Sequence, residues 1–266
     1  MIPFLKWAGG KTQLLPELLK LIPTQFNAYH EPFVGGGALF FALQPKVAFL
    51  SDTNKKLINA YKCVRDHYPV VVSHMRTFER SAECYYHQRA LLNDEKLLFA
   101  DPIAAARFIF LNKTCYNGLW RENSSGGFNV PFAKNKNSSK FLIEKSLLNC
   151  SIAMQGDVSF YAEDYTNVTY RASPGDLVYF DPPYIPLKNT SFVKYTMSGF
   201  DYNEHVRLRN IAIGLKSEGV HVIISNSDTS IVRELYKDFE IKEVQARRSI
   251  NSNTSARHKV GELIIT

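Results

Sequence analysis

The stretch "LVYFDPPY", residues 177–184, places an acid, two prolines and a tyrosine directly after four apolar residues. The apolar run predicts a short buried strand, and the prolines stop it. The strand tip then presents the Asp181 carboxylate, the Pro182 carbonyl and the Tyr184 ring. A plain Pro-Pro turn explains the prolines but not the acid and the tyrosine together. Methyl transfer to an exocyclic amine does use this set. The amino nitrogen of adenine is a poor nucleophile, because its lone pair is delocalised into the ring. Asp181 can accept one N–H and the Pro182 carbonyl the other, which turns the lone pair toward a methyl donor without a strong base. Tyr184 can stack on the base. A sulfonium donor such as S-adenosylmethionine already carries the activation, so the protein positions the reactants and no metal is required. Methylation at cytosine C5 would need a cysteine nucleophile. None of Cys63, Cys84, Cys115 and Cys150 follows a proline in a comparable loop.

Two glycine turns add to this. "FVGGG", residues 33–37, follows a short candidate strand and lets a ligand approach the backbone, and Asp52 ends the next strand, where an acid can accept ribose hydroxyls. The same pattern is compatible with a tight turn alone. Phe40 stands where the third glycine of a dinucleotide fingerprint would fall, which argues against that cofactor class. Near the N-terminus, Gly9-Gly10-Lys11-Thr12 has the ending of a phosphate-binding loop. The loop needs a glycine five positions before Gly10, and Leu5 stands there, so the phosphate reading fails. What remains is a glycine turn before a helix beginning near Thr12, with Thr12 as its N-cap.

These residues need elements to hold them. Residues 28–31 and 46–52 read as strands, and 54–65 as an amphipathic helix with Leu57, Ile58, Tyr61 and Val64 on one face. From 69 to 112 the pattern is helical without strands, and 114–139 is polar and aromatic with Gly126-Gly127 at a hairpin turn. Strands are expected within "NCSIAMQGD" (149–157), at 177–180 and in "VHVIISN" (220–226). Helices are expected at 202–216 and 229–237, and two antiparallel strands close the chain. The alternation predicts an α/β fold whose sheet is interrupted by an inserted, mainly helical block.

Composition sets the surroundings. The chain has 266 residues and a net charge of +7, a balance that suits a polyanionic partner. Its four scattered cysteines lack zinc spacing and fit a reducing compartment. Lys6 and Lys11 interrupt the apolar N-terminal patch, so neither a signal peptide nor a membrane span is expected, and the protein is expected to be cytoplasmic and nucleoid-associated when on DNA. The loop at 185–205 reads as a lid, and the basic cluster at 246–259 could follow a phosphate backbone. The lone histidines read as structural or exposed.

The chain as a whole resembles the Dam-type DNA adenine-N6 methyltransferases. "FLKWAGGK" (4–11), "EPFVGGGALFF" (31–41), "YNGLWREN" (116–123), "FNVPF" (128–132), "DPPY" (181–184), "ISNSDT" (224–229) and "RRSINSN" (247–253) occur in the family's order. The resemblance implies a Rossmann-like methyltransferase sheet, mostly parallel with antiparallel last strands. Residues 1–56 and 146–266 would form the S-adenosylmethionine-binding catalytic domain. Residues 57–145 would be a mainly helical target-recognition insertion with a β-hairpin. It implies that Trp7, Lys11, Phe33, Gly35, Asp52, Asp164, Tyr165 and Asp181 contact the methyl donor. Asp181, Pro182 and Tyr184 would be catalytic. Lys6, Tyr116, Asn117, Leu119, Arg121, Lys134, Arg247 and Asn253 would meet double-stranded DNA, with GATC as the usual site.

In that comparison Lys6 is similar to a lysine that reads the first guanine, Arg121 to an arginine that reads the outer base pair, and Tyr116 to a residue that fills the gap left by a flipped adenine. Three departures stand out. Gly36 replaces an alanine of some members, Trp120 a smaller hairpin residue, and Lys134 an arginine on phosphate. A cognate restriction endonuclease is one expected partner. Methyl transfer to RNA or to protein glutamine, and an inactive DNA-binding relative, are the competing readings.

Overall fold

The computed structural model describes residues 1–7, 9–94, 100–134, 144–185, 200–247 and 259–266, except the side chains of 246, 247, 259 and 260. Asn253, the Arg247 side chain, most of the basic cluster and residues 186–199 of the expected lid therefore lie outside the described residues. The chain forms two compact units. One comprises Met1–Lys11, Gly35–Gln44 and Asp52–Glu163; the other comprises Thr12–Val34, Pro45–Ser51 and Asp164–Thr266.

Among the described residues seven strands make one sheet: β1 (Tyr29–Glu31), β2 (Val47–Asp52), β3 (Asp157–Ala162), β4 (Leu177–Phe180), β5 (His221–Ser227), β6 (Ile241–Arg247) and β7 (Lys259–Ile265), in the order β3-β2-β1-β4-β5-β7-β6. β1 pairs in parallel with β2 and β4, and β4 with β5; β7 runs antiparallel to β5 and β6. The expected α/β sheet, mostly parallel with antiparallel last strands, is thus present. All four β4 residues are buried, as expected of a strand covered on both faces.

Alternation along the strands sorts the second unit's residues by face. Val178, Phe180, Val222, Ile224, Leu263 and Ile265 enter one apolar core, against Leu208, Ala212 and Leu215 of the helix Tyr202–Ser217 and Val232 and Leu235 of the helix Ser230–Leu235. The alternate positions Tyr179, Asp181, Ser225 and Glu262 fall on the opposite side, where the polar chemistry collects.

The first unit holds the helices α3 (Lys55–Asp66), α4 (Tyr68–Arg76), α5 (Ala82–Asp94), α6 (Pro102–Thr114) and α7 (Glu144–Ala153). They are α3–α7 because α1 (Leu15–Leu19) and α2 (Ala38–Leu43) precede them; Tyr202–Ser217 and Ser230–Leu235 are α8 and α9. The Asn54 side chain caps α3 by accepting the Leu57 N–H at 3.0 Å, and Asp101 caps α6 by accepting from Ile103 and Ala104. The expected α3 face of Leu57, Ile58, Tyr61 and Val64 is buried. Among the described residues no helix is long and apolar enough to cross a membrane.

Two expectations need correction. No strand lies within 149–156: α7 continues to Ala153, and β3 begins only at Asp157. Leu147, Cys150, Ser151 and Met154 are buried at helical spacing, and Gly156, at φ +93°, makes the turn into the strand. Thr12 is not an N-cap. It lies in the 3-10 turn Lys11–Gln13, and α1 starts after Leu14 with a proline in its first turn.

Candidate active site and recognition hairpin

In the first unit the glycine turn and the N-terminal segment fit each other atom by atom. Asn112 is fully buried on α6 and clamps the Lys6 backbone twice: Lys6 N–H donates to its Oδ1 at 2.9 Å, and its Nδ2 donates to the Lys6 carbonyl at 2.7 Å. The clamp carries Trp7 onto the glycine turn. A Cβ added at Gly35 would sit 2.6 Å from Trp7 Cδ1, and Gly35 itself has φ +44°. Tyr61 of α3 donates its hydroxyl to the Gly35 carbonyl at 2.9 Å. Lys11 is buried, with Nζ bonded to the Gly9 carbonyl.

Asp52 ends β2 beside this turn. Its Oδ2 accepts the Gly35 N–H at 3.2 Å and its Oδ1 the Asn54 N–H at 2.9 Å. Burial raises the Asp52 carboxyl above its usual value, opposed by backbone N–H groups of Asn54, Gly35 and Thr53. A carboxylate has about four lone-pair sites, so these three N–H groups leave acceptor capacity for one further donor.

The polar stretch after α6 folds back on itself through antiparallel bridges at Cys115–Phe132 and Glu122–Phe128, with Gly126 at φ +77° in the turn. Tyr116 stands nearly half exposed (48%), a large ring left facing solvent. Asn117 next to it is exposed in the left-handed region (φ +55°), and Leu119 is half-buried. Gly118 leaves room for Lys6, since a Cβ there would come within 2.6 Å of Lys6 Cδ. Lys6, Arg121 and Lys134 are exposed. Arg121 Nε donates to Asn129 Oδ1 at 2.7 Å across the hairpin, which orients the guanidinium.

Trp120, the oversized hairpin residue, is accommodated by aromatic packing. It stacks on Phe128 at 4.2 Å, meets Phe108 at 4.1 Å and lies nearly parallel to Trp7 at 6.4 Å. Sequence reading noticed its size but not these partners.

The second unit holds the Asp-Pro-Pro-Tyr stretch. Asp181 follows β4 directly, and Ser225 of β5 donates to its Oδ1 at 2.7 Å. The Tyr179 hydroxyl lies 3.0 Å from Ser225 Oγ. Pro182 is buried, and the Tyr184 hydroxyl donates to Glu262 Oε2 of β7 at 3.0 Å. The stretch is also held at its far end. Asn226 Oδ1 accepts the Ile185 N–H at 3.4 Å, and Ser227 Oγ donates to the Ile185 carbonyl at 2.6 Å.

Burial raises the phenols of Tyr179 and Tyr184 well above their usual value, and the nearby Asp181 charge adds to it. Both stay protonated donors. The Tyr29 hydroxyl donates to the buried Glu31 at 2.9 Å.

Nearby, Phe33 stacks on Tyr165 at 5.1 Å and meets Phe200 edge-on at 5.6 Å. The Tyr165 hydroxyl donates to Glu204 Oε2 at 2.8 Å. Asp164 accepts the Thr166 N–H and hydroxyl through one oxygen, Oδ1. The partners Ser225, Tyr179 and Glu262 escaped sequence reading. Their signal was the shared strand parity of Tyr179 with Asp181, and the serine inside "ISNSDT".

Comparison with known proteins gives a consistent picture. The family described as D12 class N6 adenine-specific DNA methyltransferase matches residues 7–250. A Type II methyltransferase, M1.LlaDCHI of Lactococcus lactis subsp. cremoris, is 40% identical over 99% of this chain and 94% of its own. A Type II methyltransferase of Methanocaldococcus jannaschii, M.MjaIII, is 37% identical over 99% of this chain and 98% of its own. The DNA adenine methylase of Escherichia coli K12 is 38% identical over 98% of this chain and 93% of its own.

Proposed function

The chain belongs to the D12 class of N6 adenine-specific DNA methyltransferases, and from that premise we propose that it transfers a methyl group from S-adenosylmethionine to N6 of an adenine extruded from duplex DNA, within GATC. The observation that carries the mechanism is the anchoring of Asp181 at the tip of β4, with one carboxylate oxygen taken by Ser225. A carboxylate held in this way is oriented at the strand tip to accept an amine N–H.

The methyl-donor residues fit S-adenosylmethionine. Gly35 lets the Trp7 ring lie against the glycine turn, where a Cβ would come within 2.6 Å of it, and Asp52 keeps acceptor capacity for a ribose hydroxyl. When bound, the sulfonium supplies an activated methyl group. Phe33 and Tyr165 stack on each other, and in this reading they and Asp164 lie against the donor's adenine, while Lys11 lies in the same glycine segment as Trp7.

Asp181 accepts one N6 proton and the Pro182 carbonyl the other, which directs the nitrogen lone pair at the methyl carbon. Tyr184 stacks on the target base while its hydroxyl stays on Glu262. Once the lone pair has formed the new bond, the nitrogen is strongly acidic, and Asp181 is placed to take its proton.

Residues 57–145 form the target-recognition insertion in this reading, joined by Lys6. Tyr116 fills the gap left in the stack, because extruding a base costs a few kcal/mol that an inserted ring offsets. Asn117 and Leu119 flank it. Arg121 reads a guanine bidentately, Lys6 reads another, and Lys134 meets phosphate, as do Arg247 and Asn253. The names of the Type II relatives make a cognate restriction endonuclease a candidate partner for this chain too. Duplexes carrying 2-aminopurine at the target test extrusion. Fluorescence should rise on binding for the wild type and less for Tyr116→Ala; no rise with any duplex would contradict base flipping.

A further inference from the structure

We infer that Trp120 is a positioning residue that locks the hairpin to the N-terminal segment, so that methyl-donor binding and duplex binding reinforce each other through its ring. This rests on the readings of Trp7 at the donor and of the hairpin at the DNA given above. Trp120 packs into an aromatic cluster within the first unit. Its ring stacks on Phe128 across the hairpin at 4.2 Å and meets Phe108 of α6 at 4.1 Å. Phe108 and Phe128 are buried, so they form the fixed side of the cluster. The Trp7 ring centre lies 6.4 Å from those of both Trp120 and Phe108, and its plane is 13° from that of Trp120, an offset-stacked arrangement. The Trp7 ring also touches the glycine turn, where a Cβ at Gly35 would come within 2.6 Å of it. One side chain thus meets both the turn and the hairpin.

The hairpin end is held as closely. Trp120 Nε1 donates to Glu122 Oε1 at 3.0 Å. Lys56 Nζ of α3 stands 3.8 Å from the same oxygen and donates to the Gly126 carbonyl at 3.1 Å. These contacts set the Trp120 ring in the hairpin one residue before Arg121. Lys6, the neighbour of Trp7, packs against Gly118, and Asn112 clamps its backbone. The pairs Lys6–Gly118 and Trp7–Trp120 therefore fix the hairpin along the N-terminal segment. Trp7 and Trp120 are both only half-buried, so a ligand laid against Trp7 restricts a ring that the protein does not fully enclose. Ordering that ring for one ligand lowers the cost of ordering the hairpin for the other, and the coupling is reciprocal. A side chain without a ring at 120 loses the contacts to Phe128 and Trp7 together.

The test uses the full-length protein, cognate duplex and S-adenosylhomocysteine, the donor after loss of its methyl group, so that binding is read without turnover. The wild-type duplex Kd should tighten by about fivefold or more when S-adenosylhomocysteine is present. In Trp120→Ala the two Kd values should agree within about twofold, whereas Trp120→Phe, which keeps a ring against Phe108 and Phe128, should retain most of the effect. Trp120→Leu keeps apolar volume without a ring; it should behave as Trp120→Ala and replaces it if that variant fails to fold. An unaltered ratio in folded Trp120→Ala or Trp120→Leu, a loss that Trp120→Phe shares in full, or no donor effect in the wild type would overturn the inference. The chain has two tryptophans, so Trp120→Phe leaves Trp7 and Trp7→Phe leaves Trp120 as the sole emitter under excitation at the red edge of tryptophan absorption. Trp7 emission should change on addition of S-adenosylhomocysteine, and Trp120 emission on addition of duplex. Silence of Trp7 would refute its reading at the donor, and silence of Trp120 that of the hairpin at DNA; either would take the coupling with it. Both responding while the Kd ratio stays unaltered would remove the positioning role alone.

Discussion

Gly35 and Arg121 show how single residues set the chemistry. At Gly35 an alanine would need both a left-handed backbone and 2.6 Å of approach to the Trp7 ring. One of the two must give, and the displaced ring lies where the methyl donor is read to bind. Gly35→Ala should weaken S-adenosylmethionine binding by about tenfold or more, ~1.4 kcal/mol, measured by calorimetry on the DNA-free enzyme. An unchanged Kd would remove Trp7 from the donor site. Arg121 is held through Nε by Asn129, which leaves the two terminal nitrogens of the fork for a base. Arg121→Ala should relax discrimination at one base pair by about 1–3 kcal/mol, more than it lowers overall affinity, in a panel of singly substituted duplexes. The residue types at both positions could be read from the sequence, because glycine and arginine advertise their use. Asn129, Ser225 and Glu262 could not, since an amide, a hydroxyl or a carboxylate is informative only once its partner across the fold is known.

At the scale of elements, apolar runs and strand stops were legible, whereas the one cap expected, Thr12, is not one. The apolar runs of β4 and β5, the start of α3 near Asn54 and the proline stop after Asp181 follow from short-range rules. The stretch at 149–157 was misread because its small and apolar residues fit either period, and only burial at 147, 150, 151 and 154 shows the helix. Helix α8 carries a further consequence. His205 is fully buried beside the edge of Phe200, and burial pushes its pKa down to about 4, opposed by hydrogen bonding to the Pro183 backbone. The folded state thus keeps His205 neutral while the unfolded chain protonates near pH 6.5. This contribution to stability is present in full above pH ~6.5 and lost as pH falls toward 4, at about 1.4 kcal/mol per pH unit. Urea unfolding at pH 7.5 and pH 5.5 should show a larger drop for the wild type than for His205→Leu. Equal drops would mean that another group governs the acid limb. His30, buried against Asp176 with its pKa also lowered, acts in the same direction in both proteins.

For the whole molecule, charge and family membership converge. A net charge of +7 on 266 residues suits a duplex partner, and the family acts on adenine in DNA. Phosphate neutralisation releases counterions, so duplex affinity should fall by roughly tenfold or more between about 50 and 200 mM salt, whichever bases are read. A flat salt response in filter-binding assays would contradict an electrostatic interface. Methyl transfer to N6 of adenine in a defined duplex site is what joins the charge to the family. Its most direct test is expression in a host lacking adenine methylation, followed by mapping of modified bases across the genome. N6-methyladenine should appear at GATC in both strands and be absent in cells carrying Asp181→Ala. An unmodified genome from a well-folded, expressed protein, or methylation confined to cytosine, would contradict it.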